Sequence, residues 1–224
     1  MMTSLLVSSA LVLSGGAGSI PQDSVLTILR LQYDGGGDWY ANPSSLPNLL
    51  AAIRDRTGLP VADREATASP LDPSLRGHPF IYMTGHGNVT FSPEEGAALR
   101  DHLLSGGFLH ADDNYGMDES VRRQFEVLFP ARDLVELPPD HPIFHTFYDF
   151  PEGLPKVHEH DGGPPQALGI FDEGRLMVLY TFESDLGDGW EDPDVHGDPP
   201  EAREAALRMG VNIFLYVLGQ RVGP

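Results

Sequence analysis

Residues 78–116 read HPFIYMTGHGNVTFSPEEGAALRDHLLSGGFLHADDNYG, and this stretch decides the fold class. Phe80 to Met83 is a short apolar run rich in strand-favouring residues. The Ser-Pro-Glu-Glu sequence at residues 92–95 is typical of a capped helix start. Two glycines end that helix, and Phe108 to Ala111 predicts a second strand. A crossover of this length joins parallel strands, so the stretch predicts a β-α-β unit.

Polar loops follow the strands of this unit and of its neighbours. Residues 86–88 and 112–114 follow the two strands, and residues 34–40 follow a first strand predicted for Val25 to Leu31. Residues 185–191 form another acidic loop. Ligands of open parallel sheets bind beyond the carboxyl ends of the strands, so we expect these loops to converge on one site. The candidate catalytic or metal-binding residues are His86, Asp112 and Asp113; the candidate ligand contacts are Asp38, Trp39, Asn88, Asn114, His141, Asp185 and Trp190.

Three chemistries fit these side chains. His86 with Asp112 and Asp113 could bind a divalent metal ion, since imidazole and carboxylates suit zinc, manganese or iron. His86 could instead act as a general base oriented by Asp113. Aromatic and carboxylate side chains could also hold a sugar or a cation without any reaction. Against all three, adjacent aspartates at a strand end often only cap the next helix.

Composition excludes several functions. The 224 residues include 14 basic and 33 acidic side chains, a net charge of −19. Nucleic acids and anionic membranes are therefore poor partners, because their binding depends largely on Lys and Arg. A small molecule, a sugar, a cation or a basic protein fits this charge better. The chain has no cysteine, which excludes disulfides, thiolate metal sites and a cysteine nucleophile.

Residues 1–20 are predicted to be a signal peptide, because an apolar run is followed by small residues of the kind that export peptidases cleave. The chain would then be exported to the periplasm or cell envelope, and without such a signal it would be cytoplasmic. Residues 21–224 are predicted to form a single α/β domain without a membrane span.

Outside the central unit, three expectations bear on the site. Val61 begins an extended segment whose polar residues predict an edge position. Arg122 and Arg123 lie in the first turn of a helix, where they could lean toward the two aspartates or form ordinary surface ion pairs. Asn212 lies in an apolar helix and is expected to be a satisfied buried amide.

Four motifs occur in order along the chain and together resemble one bacterial family, domain of unknown function 4159. They are GHG followed by FSPEEGAALRDHLLSGGFLHADD, then DHPIF, then GRLMVLYTFESDLGDGWE, and finally RMGVNIFLYVL. The resemblance covers nearly all of residues 25–218. It implies a class I glutamine amidotransferase-like fold, which is a flavodoxin-like three-layer sandwich with a mainly parallel sheet. The family has no established activity.

The chain departs from the wider superfamily at one position. True amidotransferases carry a nucleophilic cysteine at a sharp turn after a central strand, and the matching turn here is Asp112-Asp113-Asn114. Glutamine hydrolysis through a cysteine thioester is therefore excluded.

Two functions remain open. The leading hypothesis is an exported or envelope-associated domain whose polar, acidic pocket binds a small ligand, a metal ion or a carbohydrate. The alternative is a hydrolase that uses His86 with Asp112 or Asp113, with or without a divalent metal.

Overall fold

The structure, a computed structural model, describes residues 25–221, so the predicted signal peptide lies outside the described residues. Seven strands form one sheet: β1 Leu29–Leu31, β2 Ala66–Ala68, β3 Phe80–His86, β4 Phe108–Tyr115, β5 Val135–Glu136, β6 Gln166–Asp172 and β7 Arg175–Phe182. Their order across the sheet is β2-β1-β3-β4-β7-β6-β5. The first five strands of that order are parallel, whereas β6 and β5 run antiparallel to their neighbours.

Helices cover both faces of the sheet. They are α1 Ser45–Thr57, α2 Pro93–Leu104, α3 Asp118–Leu128, α4 Leu186–Trp190 and α5 Pro200–Arg221, with short 3-10 turns at Pro73–Gly77 and Pro142–Phe144. One apolar core joins α1, α4 and α5 to one face, and a second joins α2 and α3 to the other. The molecule is thus an α/β protein with a mostly parallel sheet, compatible with the predicted three-layer sandwich.

The central β-α-β unit has the predicted order and the predicted helix start. The Ser92 hydroxyl accepts from the Glu95 amide at 3.2 Å, and the Glu95 carboxylate accepts from the Ser92 amide at 2.9 Å. β4 is longer than predicted, however, and contains Asp112, Asp113 and Asn114. These residues are part of the sheet and not a loop, because β3 also continues and its residues 84–85 pair with Asp112 and Asp113.

The structure also decides the expectations outside the central unit. The edge strand begins at Ala66, five residues after Val61, which makes only an isolated bridge. Arg122 and Arg123 form ion pairs within α3, at 2.6 and 3.0 Å, and not with the β4 aspartates. Asn212 is fully buried, and its amide bonds the backbone of residues 147–148. The buried-amide prediction is therefore confirmed.

Helix length and composition bear on membrane insertion. Across residues 25–221, none of the helices is both long enough and apolar enough to cross a bilayer.

Candidate functional site

Asp112 and Asp113 point to opposite faces of the sheet, because side chains alternate along a strand. Asp112 Oδ2 accepts from the Gly187 amide at 2.6 Å and from the Tyr82 hydroxyl at 3.2 Å. Asp113 Oδ1 instead accepts from the Met117 amide at 3.1 Å, just before α3. The two carboxyl groups therefore belong to different environments and do not act on one atom together.

Asp112 lies in a buried polar network under α4. The side-chain amide of Asn42 donates to Asp188 Oδ1 at 2.8 Å, and His160 Nε2 lies 2.9 Å from Asp185 Oδ2. Burial is the main cause that raises the pKa of Asp112, and burial together with the charges of Asp188 and Asp112 raises the pKa of Asp185 well above its usual range. Asp185 therefore holds a proton at neutral pH, which limits the repulsion among these three carboxyl groups.

Backbone strain is concentrated beside this network. Four non-glycine residues between positions 25 and 221 have positive φ: Asn42 at 55°, Glu173 at 49°, Glu183 at 57° and Asp185 at 59°. Glu173 lies in the β6–β7 hairpin turn, but the other three surround the carboxyl end of β7 and the start of α1. Such conformations cost about 1–3 kcal/mol each and persist where the surrounding contacts enforce them, often at functional sites.

His86 pairs with Asp38 and not with either β4 aspartate. Its Nδ1 lies 3.1 Å from Asp38 Oδ2, and its backbone amide also donates to the Asp38 carboxylate. Glycines allow this approach. A Cβ on Gly37 would lie 2.8 Å from the carbonyl oxygens of His86 and Asn88, and a Cβ on Gly85 would lie 2.9 Å from Asp38. The loop after β1, which contains glycines at positions 35–37, therefore brings the Asp38 carboxylate to His86.

A cleft of about 360 Å³ opens on the α3 side of the carboxyl edge, between the ends of β4 and β7. Five of its side chains are acidic, two are aromatic and one is a histidine. The lining consists of Asp113, Tyr115, Gly116, Asp118, Glu119, His160, Asp161, Phe182 and Glu183.

Asp113 is the most buried carboxyl group of the cleft, with 1% of its surface exposed. Burial raises its pKa to about 7, and the charges of Asp118 and Asp112 act in the same direction. The hydrogen bond from the Met117 amide and the proximity of His86 lower the pKa only in part. Asp113 therefore changes its protonation state near neutral pH, a property common among functional carboxyl groups.

A larger concavity of about 760 Å³ lies at the opposite edge, where the chain enters β3 and β4. Residues 70–79 and the end of α2 form its walls. We place the candidate site at the smaller cleft, because ligands of parallel sheets bind at the carboxyl ends of the strands and the strained, buried acidic residues lie there.

Several predicted ligand contacts have other environments. Trp190 is 1% exposed and donates to the Ala206 carbonyl at 2.8 Å, so it is a core residue. His141 begins a 3-10 turn and packs near Phe171. Phe171 is near the end of β6, which runs antiparallel to β7, so it lies at the edge opposite the carboxyl ends of the parallel strands. His141 therefore lies away from the other candidates.

The remaining candidates stay near the carboxyl edge. Asn88 is exposed, and its carbonyl accepts from the Gly37 amide at 3.0 Å. Trp39 is partly buried against the second core. Asn114 joins the Asp112 network through a 2.7 Å bond from Thr84.

The metal ligands suggested by the sequence are not brought together. His86 binds Asp38, and Asp112 and Asp113 face opposite sides of the sheet. In the part of the chain that the structure describes, no group of three or more His, Asp or Glu side chains is placed to hold a metal ion.

The family model of Domain of unknown function (DUF4159) matches residues 27–218. The chain belongs to this family. No curated protein matches the chain at a significant level. The DUF4159 match spans every strand of the sheet and both sides of the carboxyl edge, so the network and the cleft lie within the family domain.

Sequence reasoning missed several residues that shape this edge of the DUF4159 domain. Glu191 accepts from the amides of Ser44 and Ser45 at 2.8 and 2.9 Å and so caps α1 from a distant loop. Glu183 holds Lys156 at 2.8 Å. Residues 185–191 were predicted to be an acidic loop, but residues 186–190 form the short helix α4. No sequence signal identified the partners of Glu183 and Glu191, which lie 27 to 147 residues away from them.

Proposed function

We propose that this DUF4159 domain binds a small polar ligand in the cleft between the carboxyl ends of β4 and β7. One observation carries the proposal: Asp113 lines the cleft, is 1% exposed and uses only its Oδ1 in a hydrogen bond within residues 25–221. Asp113 Oδ2 receives no hydrogen bond from these residues, and a ligand in the cleft would supply a donor to it.

The scaffold supports this location. When the five parallel strands are numbered by their order in the sequence, they lie across the sheet in the order 2-1-3-4-5. This is the strand order of flavodoxin-like proteins. This order supports the resemblance to the class I glutamine amidotransferase-like superfamily, in which the domain would have kept the fold without the cysteine chemistry. Binding at the carboxyl edge follows from such a scaffold, whereas a particular reaction does not.

Thermal unfolding with a ligand panel tests the proposal. The panel contains neutral sugars, amines and divalent metal chlorides, and a ligand at about 100 times its dissociation constant adds roughly 2.7 kcal/mol of stability. We expect at least one organic compound to raise the midpoint and the Asp113→Ala variant to lose that shift. Unchanged shifts in Asp113→Ala would place the site elsewhere.

Hydrolysis is the second candidate function, favoured by the pairing of His86 with Asp38. Asp38 lies on the loop after β1 and His86 is the last residue of β3, at the point where the strand order reverses and α/β sheets bind their ligands. In this proposal Asp38 replaces the β4 aspartates as the group that orients His86, and Asp113 offers a carboxyl group that titrates near neutrality. Turnover in an ester and glycoside substrate screen, lost in His86→Ala and reduced in Asp38→Asn, would support it.

Export through residues 1–20 is also part of the proposal. Its test is N-terminal sequencing of the protein recovered from the envelope fraction, which should start near residue 21. Recovery of the full chain from the cytoplasm would contradict export.

A further inference from the structure

The carboxylates that line the cleft are not equally neutralised. Three of the five have a basic partner: Glu183 with Lys156 at 2.8 Å, Asp118 with Arg122 at 2.6 Å and Glu119 with Arg123 at 3.0 Å. Among the described residues, Asp113 and Asp161 have no ion pair with Lys or Arg. The cleft therefore retains a surplus of negative charge that comes from these two residues.

Asp113 and Asp161 contribute different surfaces of the cleft. Asp113 extends from β4 and is almost fully buried, with its Oδ2 free of hydrogen bonds from residues 25–221. Asp161 is exposed and accepts from the Tyr115 hydroxyl at 3.2 Å. The backbone of Asp161 is tied to Glu183 by a 3.2 Å hydrogen bond, so the outer wall is fixed to the end of β7.

Aromatic rings lie between these charges. Tyr115 is 51% exposed, and its ring stands edge-on to that of His160 with 5.3 Å between the ring centroids; Phe182 also lines the cleft. Aromatic faces attract cations and pack against the carbon atoms of an organic molecule. The cleft thus combines the buried Asp113, the exposed Asp161 and two aromatic rings. These groups together match a ligand that has a charged nitrogen and a carbon skeleton.

We propose that the ligand of this cleft is a small organic cation, a protonated primary amine whose ammonium group donates to Asp113 Oδ2. This inference rests on the proposed binding function and gives its ligand class. Phosphate and carboxylate ligands would be repelled by the uncompensated charge, and a neutral polyol would supply a donor but no counter-charge. An ammonium group supplies both the donor and the charge.

Isothermal titration calorimetry with matched pairs tests the ligand class. Glucosamine is compared with glucose, and putrescine with butanediol, because each pair differs mainly in its amino groups. A charge-assisted hydrogen bond to a buried carboxylate corresponds to a preference of about tenfold to hundredfold, which we expect for the amine in at least one pair. The same amine should bind Asp113→Asn at least about tenfold more weakly.

A matched control and the alternative outcomes separate this inference from the proposed function. Asp101→Asn removes an exposed carboxylate near the other concavity and should leave amine binding unchanged. If the neutral member of each pair binds as tightly as the amine and Asp113→Asn abolishes both, the ligand class is wrong and the binding site stands. If no compound binds the folded protein at millimolar concentration, both proposals fail.

Discussion

Replacement of Asp113 by Asn should make the protein more stable relative to wild type as the pH rises. In the wild-type protein, burial raises the pKa of Asp113 from 3.8 to about 7. Between these two values the folded state binds a proton that the unfolded state has released, so the stability of the wild type falls as the pH increases. Asparagine keeps an oxygen that accepts from the Met117 amide and has no proton to lose.

The magnitude follows from the two pKa values. Each unit of difference corresponds to about 1.36 kcal/mol, so full ionisation of Asp113 in the folded state costs about 4 kcal/mol. A change from about pH 5 to about pH 8 covers roughly two pH units of the interval between the unfolded and folded pKa values of Asp113. The difference in the free energy of unfolding between Asp113→Asn and wild type should therefore grow by about 2.5 kcal/mol in favour of the variant.

Other groups near Asp113 also titrate, so the assay compares two proteins at each pH. The charged groups that interact with it are His86 at the end of β3, Asp118 in α3 and, across the sheet, Asp112 on β4, with the hydroxyls of Tyr33 and Tyr180 nearby. Urea unfolding of both proteins at a series of pH values cancels the ionisations that they share. A neighbour whose own titration depends on the Asp113 charge would broaden the curve but not reverse its sign.

The refuting result is simple to recognise. A stability difference between Asp113→Asn and wild type that does not change with pH would show that Asp113 ionises alike in the folded and unfolded chains. The control is Asp55→Asn, which removes an exposed carboxylate from α1. Its stability difference from wild type should change by less than about 0.5 kcal/mol over the same range.

Three further variants test the network behind the site. Glu191→Ala should lower the free energy of unfolding by about 2 kcal/mol in urea, because the first amides of α1 lose their acceptor; an unchanged midpoint would show that water replaces it. Gly187→Ala should lower the free energy of unfolding by about 1–3 kcal/mol, since its Cβ would lie 2.6 Å from the Tyr82 hydroxyl. Adding Tyr82→Phe to that variant should recover part of the lost stability in thermal unfolding. Asp185→Asn should change stability by less than about 1 kcal/mol at neutral pH, because the raised pKa keeps this carboxyl protonated; a large loss would show that it is ionised.

Local signals predicted the central part of the fold. The order of residues 92–95 predicted the reciprocal hydrogen bonds that begin α2, because both partners lie within one turn. The apolar runs of β3 and β4 predicted parallel neighbours, because their connection is too short for anything but one helix. Asn212 was predicted to be a satisfied buried amide from its apolar surroundings alone.

Partner choice at the site was not predictable to the same degree. Residues 112–114 were predicted to form a loop because all three are polar, but their pairing with β3 keeps them in the strand. Their side chains therefore alternate between the two faces of the sheet. His86 was grouped with these residues because it follows the neighbouring strand. Its carboxylate partner, Asp38, lies 48 residues earlier and is brought to His86 only by the close approach of two glycine-containing loops.

The contrast between Asp112 and Asp113 explains why one is assigned to the architecture and the other to a ligand. Both are almost fully buried, and burial raises the pKa of both. Asp112 receives hydrogen bonds from Gly187, Tyr82 and Thr181, so the protein itself supplies the donors that burial removed. Asp113 receives one, from the amide before α3, and its other oxygen belongs to the wall of an open cleft. Because the carboxylate of Asp112 already accepts three hydrogen bonds and that of Asp113 accepts one, a donor from outside the chain would gain more binding energy at Asp113 than at Asp112.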